Sequence, residues 1–327
     1  MPGSRSSVRW FVVAAAIAAA FSSACAQAQA FPSRPLRILV PYGPGGIVDV
    51  VGRQLGQRLG ESLGQSVLIE NKPGAAGTIA MDALRQAPAD GHTLVVMDPA
   101  IVINPIIQPK LSYNALRDMQ MVSLLCSTSL ILTVTPSLPV RETKELLALA
   151  RSRPGFVNYS SAGIGTTPHM AGEMFRARTG VNIVHVPYKG GNAATTDLLA
   201  GQIQMTFMTP SIMLPYAKEG RLRAVASTGV RRSPSFPDVP TLAESGYPDF
   251  EVSVWLGLFV MKDTPAVAIA RLNQVTNDAL RREDMRAALA KFDIETIGTS
   301  TQDARVFLER EEHKWAELVR SSNIKPD

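Results

Sequence analysis

The chain has 327 residues, of which 46% are apolar, 19% charged and only 6% aromatic. This composition is that of a globular protein large enough for two domains, and the scarcity of aromatic residues argues against a surface that stacks bases or sugars. The formal charge of +5 is spread along the chain without a long run of Lys or Arg, which excludes the usual footprint of a nucleic-acid-binding protein.

Residues 1–30 have the pattern of a secretory signal peptide. Arg5 and Arg9 provide the positive charge, an apolar stretch follows over residues 10–21, and small residues suited to cleavage stand at Ala28–Ala30. The apolar stretch is too short to cross a bilayer comfortably, so cleavage is favoured over a retained membrane anchor. We therefore predict export to the periplasm.

The position of Cys25 leaves lipid attachment as an alternative to cleavage after Ala30. Cys25 ends a sequence that resembles a degenerate lipid-attachment motif, although Ser22 occupies the place of the usual large aliphatic residue. Cleavage after Ala30 removes Cys25 and leaves Cys126 without an intrachain disulfide partner. A lone cysteine beside leucines is more often a small buried hydrophobic residue than a nucleophile.

Strand-like and helix-like stretches alternate along the first third of the exported chain. Short apolar runs predict strands, and apolar residues at helical spacing between them predict helices. The predicted order is strand 36–40, helix 47–59, strand 67–69, helix 78–86 and strand 93–97. This alternation favours a parallel sheet covered by helices.

A second α/β series follows the first without a linker. Strands are predicted at 130–134, 157–160, 183–186, 203–208 and 222–227, helices at 141–153 and 168–178, and terminal helices at 265–282, 284–292 and 301–321. Extended apolar segments over 130–135 and 252–260 bracket this series, and we place the crossings between two lobes there. Lobe one then comprises residues 31–131 plus 253–327, with the terminal helices packed on it, and lobe two comprises residues 132–252.

The first site candidate is a glycine-rich loop that joins a strand to a helix. Residues 41–49 spell Pro-Tyr-Gly-Pro-Gly-Gly-Ile-Val-Asp, which is not a nucleotide-binding pattern. The first N–H groups of a helix lack internal partners and carry partial positive charge, and glycine lets an anion approach them. The alternative is an ordinary turn in which Asp49 caps the helix. The candidate residues are Tyr42, Gly45, Gly46 and Asp49.

The second candidate repeats this arrangement in the second series. A strand ends near Tyr159, and Ser-Ser-Ala-Gly-Ile-Gly follows before the next helix. The hydroxyl groups of Ser160, Ser161 and Thr166 add hydrogen-bond donors beside the free N–H groups of the helix start. Both series therefore offer the same kind of anion site.

The helix after the second loop brings a histidine close to that site. Thr167 is suited to the capping position and Pro168 to the first helical position. His169 then falls in the first turn, near a bound anion. The alternative is a histidine on the helix surface or one packed in the core.

Catalytic and metal sites find little support in the residues. A serine hydrolase of the usual type needs Gly-x-Ser-x-Gly, but Tyr159 stands two positions before Ser161. The four histidines have no metal-type spacing, so neither a metal nor a cofactor is expected. A secreted hydrolase that uses Ser161 or His169 remains an alternative hypothesis.

Short motifs follow one another in a fixed order along the mature chain. They are Tyr42-Gly43-Pro44-Gly45-Gly46-Ile47-Val48-Asp49, Glu70-Asn71-Lys72-Pro73-Gly74-Ala75-Ala76-Gly77, Asp90-Gly91-His92, Tyr159-Ser160-Ser161-Ala162-Gly163-Ile164-Gly165-Thr166 and Val186-Pro187-Tyr188-Lys189-Gly190-Gly191. Each motif is weak alone, but the ordered set is specific. By it the chain resembles, nearly end to end, the substrate-binding receptors of tripartite tricarboxylate transporters, also called Bug-type receptors.

The resemblance implies a type II periplasmic binding-protein fold, in which two α/β lobes joined by crossing hinge strands enclose a ligand cleft. It implies a receptor rather than an enzyme, which binds a small organic carboxylate for uptake through membrane transporter subunits. In such receptors one end of the ligand meets the first loop and the other end meets the second, with the 71–77 turn as a neighbouring wall. Carried over to this chain, the ligand-binding residues are Tyr42, Gly46, Asp49, Ser161, Ala162, Gly163, Thr166 and His169.

Three further expectations concern partners and ligand. The receptor is expected to be a monomer without nucleic-acid partners. Relatives suited to amino acids carry a carboxylate where this chain has Met208, so the resemblance disfavours a ligand with an ammonium group. The alternative to transport is a sensing role, in which the ligand-bound form is presented to a membrane sensor kinase.

Overall fold

The computed structural model describes residues 31–322 and Ile324, so the predicted signal peptide and Cys25 lie outside the described residues. The strands form two sheets, one of six strands and one of five. Within the described part of the chain, no helix has the length and apolar character needed to cross a membrane.

Strands and helices alternate along most of the chain. In chain order the strands are β1 (Leu36–Val40), β2 (Val67–Asn71), β3 (Thr93–Met97), β4 (Met119–Ser129), β5 (Ile131–Val134), β6 (Asn158–Ser161), β7 (Val184–Pro187), β8 (Met205–Met208), β9 (Arg223–Ser227), β10 (Ser253–Met261) and β11 (Glu295–Thr296). The helices are α1 (Ile47–Leu63), α2 (Thr78–Gln86), α3 (Ala100–Ile107), α4 (Ala115–Asp118), α5 (Thr143–Ser152), α6 (Thr167–Thr179), α7 (Gly191–Leu199), α8 (Pro210–Lys218), α9 (Ala266–Arg281), α10 (Glu283–Ala290) and α11 (Thr301–Ser322).

The six-stranded sheet has the order β11-β4-β10-β3-β1-β2. Its β1 is parallel to β2 and β3, as the alternation of the first series predicts. However, β10 is antiparallel to both β3 and β4. The predicted parallel pairing is therefore confirmed for β1, β2 and β3, and the sheet as a whole is mixed because β4 and β10, which lead to and from the second sheet, run in opposite directions.

Helices cover both faces of this sheet. Alternate residues of β1 point to opposite sides, so Ile38 packs in a cluster with α1 and α9, whereas Leu39 packs in a cluster with α2, α3 and α11. Cys126 of β4 is a free thiol buried in the first of these clusters, which confirms the expectation of a small hydrophobic residue. Burial on both faces explains why the strands are continuous apolar runs rather than alternating ones.

The five-stranded sheet has the order β7-β6-β8-β5-β9. It combines parallel pairs of β6 with β7 and β8 and antiparallel pairs of β5 with β8 and β9. As in the first sheet, the strand at the crossing is the antiparallel one: β5, which follows β4, is antiparallel to both of its neighbours.

The two sheets meet where the chain crosses between them, and Thr228 joins both crossings. The Thr228 N–H donates to the Leu130 carbonyl at 2.9 Å, and the Leu130 N–H donates to the Thr228 hydroxyl at 2.9 Å. The Val252 N–H donates to the Thr228 carbonyl, and the Thr228 hydroxyl donates to the Val252 carbonyl. The exact lobe boundaries given above stay a prediction.

Two buried elements of the first sheet and its cover were not predicted from the sequence. Helix α3 begins with five buried residues, Ala100–Asn104, and has no polar face that would produce a helical period. Strand β4 is the longest in the described chain, and only its continuation as β5 was predicted. Elements buried on all sides carry no periodic signal, because burial removes the contrast between faces.

The C-terminal helix α11, which was expected to pack on lobe one, contacts both halves. It packs on α3 and β4 of the first half and also on α6 of the second. The Arg176 guanidinium of α6 donates to the Ser322 carbonyl at the end of α11 at 3.1 Å. Near the middle of α11, the buried Glu311 carboxylate accepts the indole N–H groups of Trp255 at 2.7 Å and Trp315 at 3.1 Å.

Replacement of Glu311 by Ala is expected to lower the free energy of unfolding by about 3 kcal/mol, because two buried indole N–H groups lose their acceptor. Urea unfolding followed by tryptophan fluorescence measures this loss. Glu309→Ala on the exposed face of the same helix is the control, with an expected loss below about 1 kcal/mol. Equal losses in the two variants would contradict a structural role for the Glu311 carboxylate.

Candidate functional site

The carboxylate of Asp49 organises the first glycine-rich loop. Asp49 is the third residue of α1 and is 3% exposed. It accepts hydrogen bonds from the Gly45 N–H at 3.0 Å and the Asn71 amide at 2.9 Å, and Arg53 pairs with it at 2.9 Å. Burial alone would raise the pKa of Asp49, but the hydrogen bonds and the Arg53 charge hold it below its usual value. The Asp49 carboxylate therefore fixes the conformation of the first glycine-rich loop and ties it to Asn71 at the end of β2.

Tyr42, at the start of this loop, is anchored by a buried carboxyl group. The Tyr42 hydroxyl donates to Asp98 Oδ2 at 2.9 Å, and Asp98 Oδ1 accepts the Ala100 N–H at the start of α3 at 3.0 Å. Burial raises the pKa of Asp98 to about 6, although both hydrogen bonds act in the opposite direction. The buried Asp98 carboxyl group thus holds the Tyr42 ring in position.

The turn after β2 forms a second wall in an uncommon backbone conformation. Ala75 and Ala76 have φ angles of 47° and 48°, which non-glycine residues rarely adopt. The Asn104 amide of α3 donates to the Ala76 carbonyl at 2.8 Å and so ties the turn to the core. Such conformations cost about 1–3 kcal/mol per residue and persist where the surroundings impose them.

The second glycine-rich loop is closed by its own hydroxyl groups. The Gly163 N–H donates to Ser161 Oγ at 3.1 Å, and the Thr166 hydroxyl donates to the Gly163 carbonyl at 2.6 Å. The Gly165 N–H donates to Nδ1 of His169 at 3.3 Å. These bonds hold the loop against the start of α6. Ser161 and His169 therefore fix the loop conformation by accepting its N–H groups.

Two histidines support this loop in a stacked arrangement. His185 Nε2 lies 2.7 Å from Ser161 Oγ, and the His185 ring stacks on His169 at 4.2 Å and on Tyr159 at 4.8 Å between centroids. Burial lowers the pKa of His185 to about 3, with a further contribution from the charge of His169. His185 is therefore neutral near pH 7. Tyr159 in turn donates to the Glu173 carboxylate at 2.7 Å.

Together the two loops and the turn border one open cleft of about 1180 Å³. The described residues that line it are Tyr42, Gly43, Pro44, Gly46, Pro73, Gly74, Ala75, Ala76, Gln108, Pro109, Lys110, Ala162, Gly163, Ile164, Thr166, Lys189, Gly190, Gly191 and Asn192. None of these residues is acidic, and two are lysines. The arrangement suits a small anion that contacts backbone N–H groups from both sheets.

A comparison with known protein families identifies a family of receptors that bind small ligands. The model of the tripartite tricarboxylate transporter family receptor matches residues 51–324. The chain belongs to this family. Members of this receptor family bind substrates and are not enzymes, so the hydrolase hypothesis is wrong. The buried position of Ser161, 1% exposed, agrees with that conclusion.

Individual relatives of this receptor family are similar over nearly the whole chain. The protein BugT of Bordetella pertussis is 34% identical, with 96% of each chain covered. The structure of Rpa4515 of R. palustris with adipate has a TM-score of 0.84 at 31% identity, and covers 91% of this chain and 100% of its own. The structure of MatC from Rhodopseudomonas palustris with bound malate has a TM-score of 0.80 at 29% identity, and covers 88% and 100%. The predicted periplasmic binding-protein fold with two α/β lobes is confirmed.

The structure separates the ten ligand-binding residues predicted for this receptor into two groups. Five line the cleft, namely Tyr42, Gly46, Ala162, Gly163 and Thr166. The other five, Gly45, Asp49, Ser160, Ser161 and His169, lie outside its lining. Ligand contact stays a prediction for all ten.

Two assignments from the sequence are wrong in detail. The residue at the capping position of α6 is Thr166, one before the predicted Thr167, and that of α1 is Gly46 rather than Asp49. Met208 packs in a buried cluster with Ile131 and is 7% exposed, so it does not line the cleft. The expectation that the ligand lacks an ammonium group stays a prediction.

The sequence also missed two parts of the cleft. Residues 189–192 follow β7 and contain a Gly-Gly pair just before α7, which is the same strand, glycine and helix arrangement as in the two predicted loops. That signal was present in the sequence. Residues 108–110 follow α3, whose uniformly apolar sequence gave no sign that its end reaches the cleft.

The lowered pKa of His185 makes a prediction for acid stability. The unfolded chain binds a proton at His185 near pH 6.5, whereas the folded chain resists it down to about pH 3, so stability falls as the pH drops through this window. In His185→Gln, the loss of unfolding free energy between pH 7 and pH 4.5 is expected to be smaller than in the wild type, as measured by urea unfolding.

The control for this prediction is His313→Gln, which replaces an exposed histidine of α11 and should keep the wild-type loss. Asp98 acts with the opposite sign, because its raised pKa favours the folded state as the pH falls from about 6. Because Asp98 contributes equally in every variant, the test compares the pH-dependent loss of unfolding free energy in His185→Gln with that in the wild type and in His313→Gln. A His185→Gln profile identical to the wild type would contradict the buried neutral histidine.

Proposed function

We propose that this protein is an extracytoplasmic receptor that captures a small organic carboxylate in the cleft and presents it to the membrane subunits of a tripartite tricarboxylate-type transporter. The observation that carries the proposal is the lining of the cleft. Gly46 and Gly163 contribute backbone from two facing loops, Lys110 and Lys189 contribute positive charge, and no acidic residue of the described chain lines it.

Both loops precede helices whose first N–H groups have no partner within the helix, apart from Pro168 of α6, which carries no N–H. Helix α1 has 17 residues and α6 has 13, and no described side chain forms a capping hydrogen bond at either N-terminal cap residue. Free N–H groups and the partial positive charge of a helix start stabilise a carboxylate. The bound adipate and malate of two similar structures support this ligand class.

We further propose that the two lobes, residues 31–131 plus 253–327 and residues 132–252, close over the ligand. Closure about crossing strands is the usual motion of two-lobed binding proteins. The protein would reach the periplasm through the signal peptide over residues 1–30 and act as a monomer.

A thermal-shift screen of organic acids tests the ligand class. A carboxylate present at about 100 times its Kd is expected to stabilise the folded state by about 2.7 kcal/mol and to raise the melting temperature by a few degrees. The methyl esters of the same acids should have no effect. A shift with neutral compounds and none with any carboxylate would refute the proposal.

The loops also allow a test by substitution. Asp49→Ala removes the acceptor of the Gly45 N–H, and Thr166→Val removes the hydroxyl that donates to the Gly163 carbonyl. Thr166→Val is expected to weaken binding of the best carboxylate by about tenfold, since it loses one hydrogen bond that positions the loop, and Asp49→Ala by at least as much, since the Asp49 carboxylate also holds Asn71 and Arg53. Isothermal titration calorimetry measures the change.

Two matched variants separate binding from stability. Thr179→Val removes a similar hydrogen bond at the far end of α6, from the Thr179 hydroxyl to the Phe175 carbonyl. Asp118→Ala removes a carboxylate that accepts the Asn114 N–H and pairs with Arg117, away from the cleft. Both should bind the ligand as the wild type does. Affinity that is unchanged in Asp49→Ala and Thr166→Val would remove both residues from the site.

A further inference from the structure

Positive charge is concentrated in one segment of the second half. Residues 31–327 carry 31 Lys or Arg and 28 Asp or Glu, which is a net charge of +3. Residues 146–196 alone carry four Arg, one Lys and a single acidic residue, which is a net charge of +4. That acidic residue, Glu173, is 7% exposed and bonds to Tyr159 and Arg176. The remaining positive charge of the segment therefore has no internal counter-charge.

Three arginines of this segment point to a surface that faces solvent. Arg151 lies in the last turn of α5, Arg153 directly follows that helix, and Arg178 lies in the last turn of α6. All three are exposed, and within the described chain none of them pairs with a carboxylate. A positive charge near a helix C-terminus offsets the helix dipole, but that interaction leaves the charge itself in solvent.

Two exposed apolar side chains lie next to Arg153. Phe156 is 43% exposed and Val184 is 42% exposed. The Phe156 N–H donates to the Arg153 carbonyl at 3.1 Å, and the Arg153 guanidinium carbon lies 5.5 Å from the centroid of the Phe156 ring. Val184 begins β7, and its N–H donates to the Val157 carbonyl at 3.0 Å, so it stands beside the residue that follows Phe156. Arginine and apolar side chains are thus interleaved here.

Backbone contacts bring the end of α6 to the same place. The Gly155 N–H donates to the Asn182 carbonyl at 2.9 Å, which ties the turn before Phe156 to the segment between α6 and β7. Helix α6 ends at Gly180, two residues before Asn182. The ends of α5 and α6 and the starts of β6 and β7 therefore meet in one surface. We term its residues Arg151, Arg153, Phe156, Arg178 and Val184 the basic tip.

The basic tip lies at the opposite end of β6 and α6 from the cleft. Ala162 and Gly163 follow the end of β6, Thr166 precedes α6, and these residues line the cleft. The 13 residues of α6 separate this end from Arg178 by about 20 Å. A partner on the basic tip thus leaves the cleft uncovered. A protein that receives the ligand has to contact the cleft end instead, so the charge and position of the basic tip favour a different kind of partner.

We infer that the basic tip binds an anionic phospholipid surface. Arginine forms bidentate hydrogen bonds with phosphate, and each basic side chain near an anionic bilayer adds to the attraction. Phe156 and Val184 then rest at the boundary between headgroups and acyl chains, as apolar side chains of peripheral proteins do. This second site goes beyond the proposed function, because it concerns where the receptor resides rather than what it captures. Residence at the membrane raises the local concentration of the receptor beside membrane subunits.

Cosedimentation with vesicles tests the inference without any carboxylate ligand. The probes are large unilamellar vesicles of phosphatidylcholine and phosphatidylglycerol in a two-to-one ratio, and vesicles of phosphatidylcholine alone. The exported form should bind the anionic vesicles and bind the neutral ones at least about tenfold more weakly. Arg151→Gln, Arg153→Gln and Arg178→Gln should each weaken binding to the anionic vesicles about fivefold, and the triple variant about a hundredfold. Phe156→Ser should weaken binding severalfold, because the side chain that enters the headgroup boundary is lost.

Two arginines outside the basic tip provide matched controls. Arg286 and Arg310 are exposed and form no ion pair within the described chain, and the Arg310 guanidinium lies 5.6 Å from the Phe307 ring centroid, as Arg153 does over Phe156. Arg286→Gln and Arg310→Gln should therefore bind anionic vesicles as the wild type does. The melting temperatures of all these variants should match that of the wild type, because the replaced side chains are exposed.

The salt dependence gives a second readout. Binding to anionic vesicles should fall as the NaCl concentration rises, because the attraction between exposed charges is screened. Equal binding to neutral and anionic vesicles, or equal losses in the tip and control variants, would overturn the inference. Absence of vesicle binding would also overturn it and would leave an acidic protein as the partner of the basic tip. None of these outcomes bears on carboxylate binding in the cleft, so this inference and the proposed function fail separately.

Discussion

The cluster of hydrogen bonds at Thr228 is the constraint on which the cleft depends. Thr228 is fully buried, and its backbone and hydroxyl groups bond to Leu130 in one crossing segment and to Val252 in the other. Within the described residues, the chain therefore passes between the two sheets at one place, and α11 adds a further contact between the halves through Arg176 and the Ser322 carbonyl. These hydrogen bonds hold the two crossing segments side by side, next to the point where one sheet gives way to the other.

Polar side chains around the cleft are used mainly to shape its backbone. Asp49 holds the first loop, Asn104 holds the turn at Ala76, and Ser161 and Thr166 close the second loop on itself. What remains for a ligand is backbone N–H, the two lysines and the polar side chains of Gln108 and Asn192. Under the proposed function, this division leaves recognition of a carboxylate mainly to backbone N–H groups, which need no dedicated arginine.

The support of the second loop continues to the C-terminal helix. His185 contacts Ser161 and stacks on Tyr159, Tyr159 bonds to Glu173, and Arg176 joins Glu173 at 2.6 Å to the Ser322 carbonyl of α11. Gly172 is required in this chain of contacts, because a Cβ atom there would overlap the Tyr159 ring. The helix that stabilises the first half is thus also part of what positions the ligand loop of the second half.

The sequence by itself determined the two α/β series and the two loops, because alternating apolar runs and glycine before a helix are local signals that need no partner. It did not determine the direction of β4, β5 and β10, since a strand buried on both faces looks the same in either direction. Only the tertiary structure showed that Asp49 and His169 lie outside the cleft lining, and that Lys110 and Lys189, 79 positions apart in the sequence, line the same cleft. Proximity of that kind follows from how α3 and β7 pack, and no local pattern encodes it.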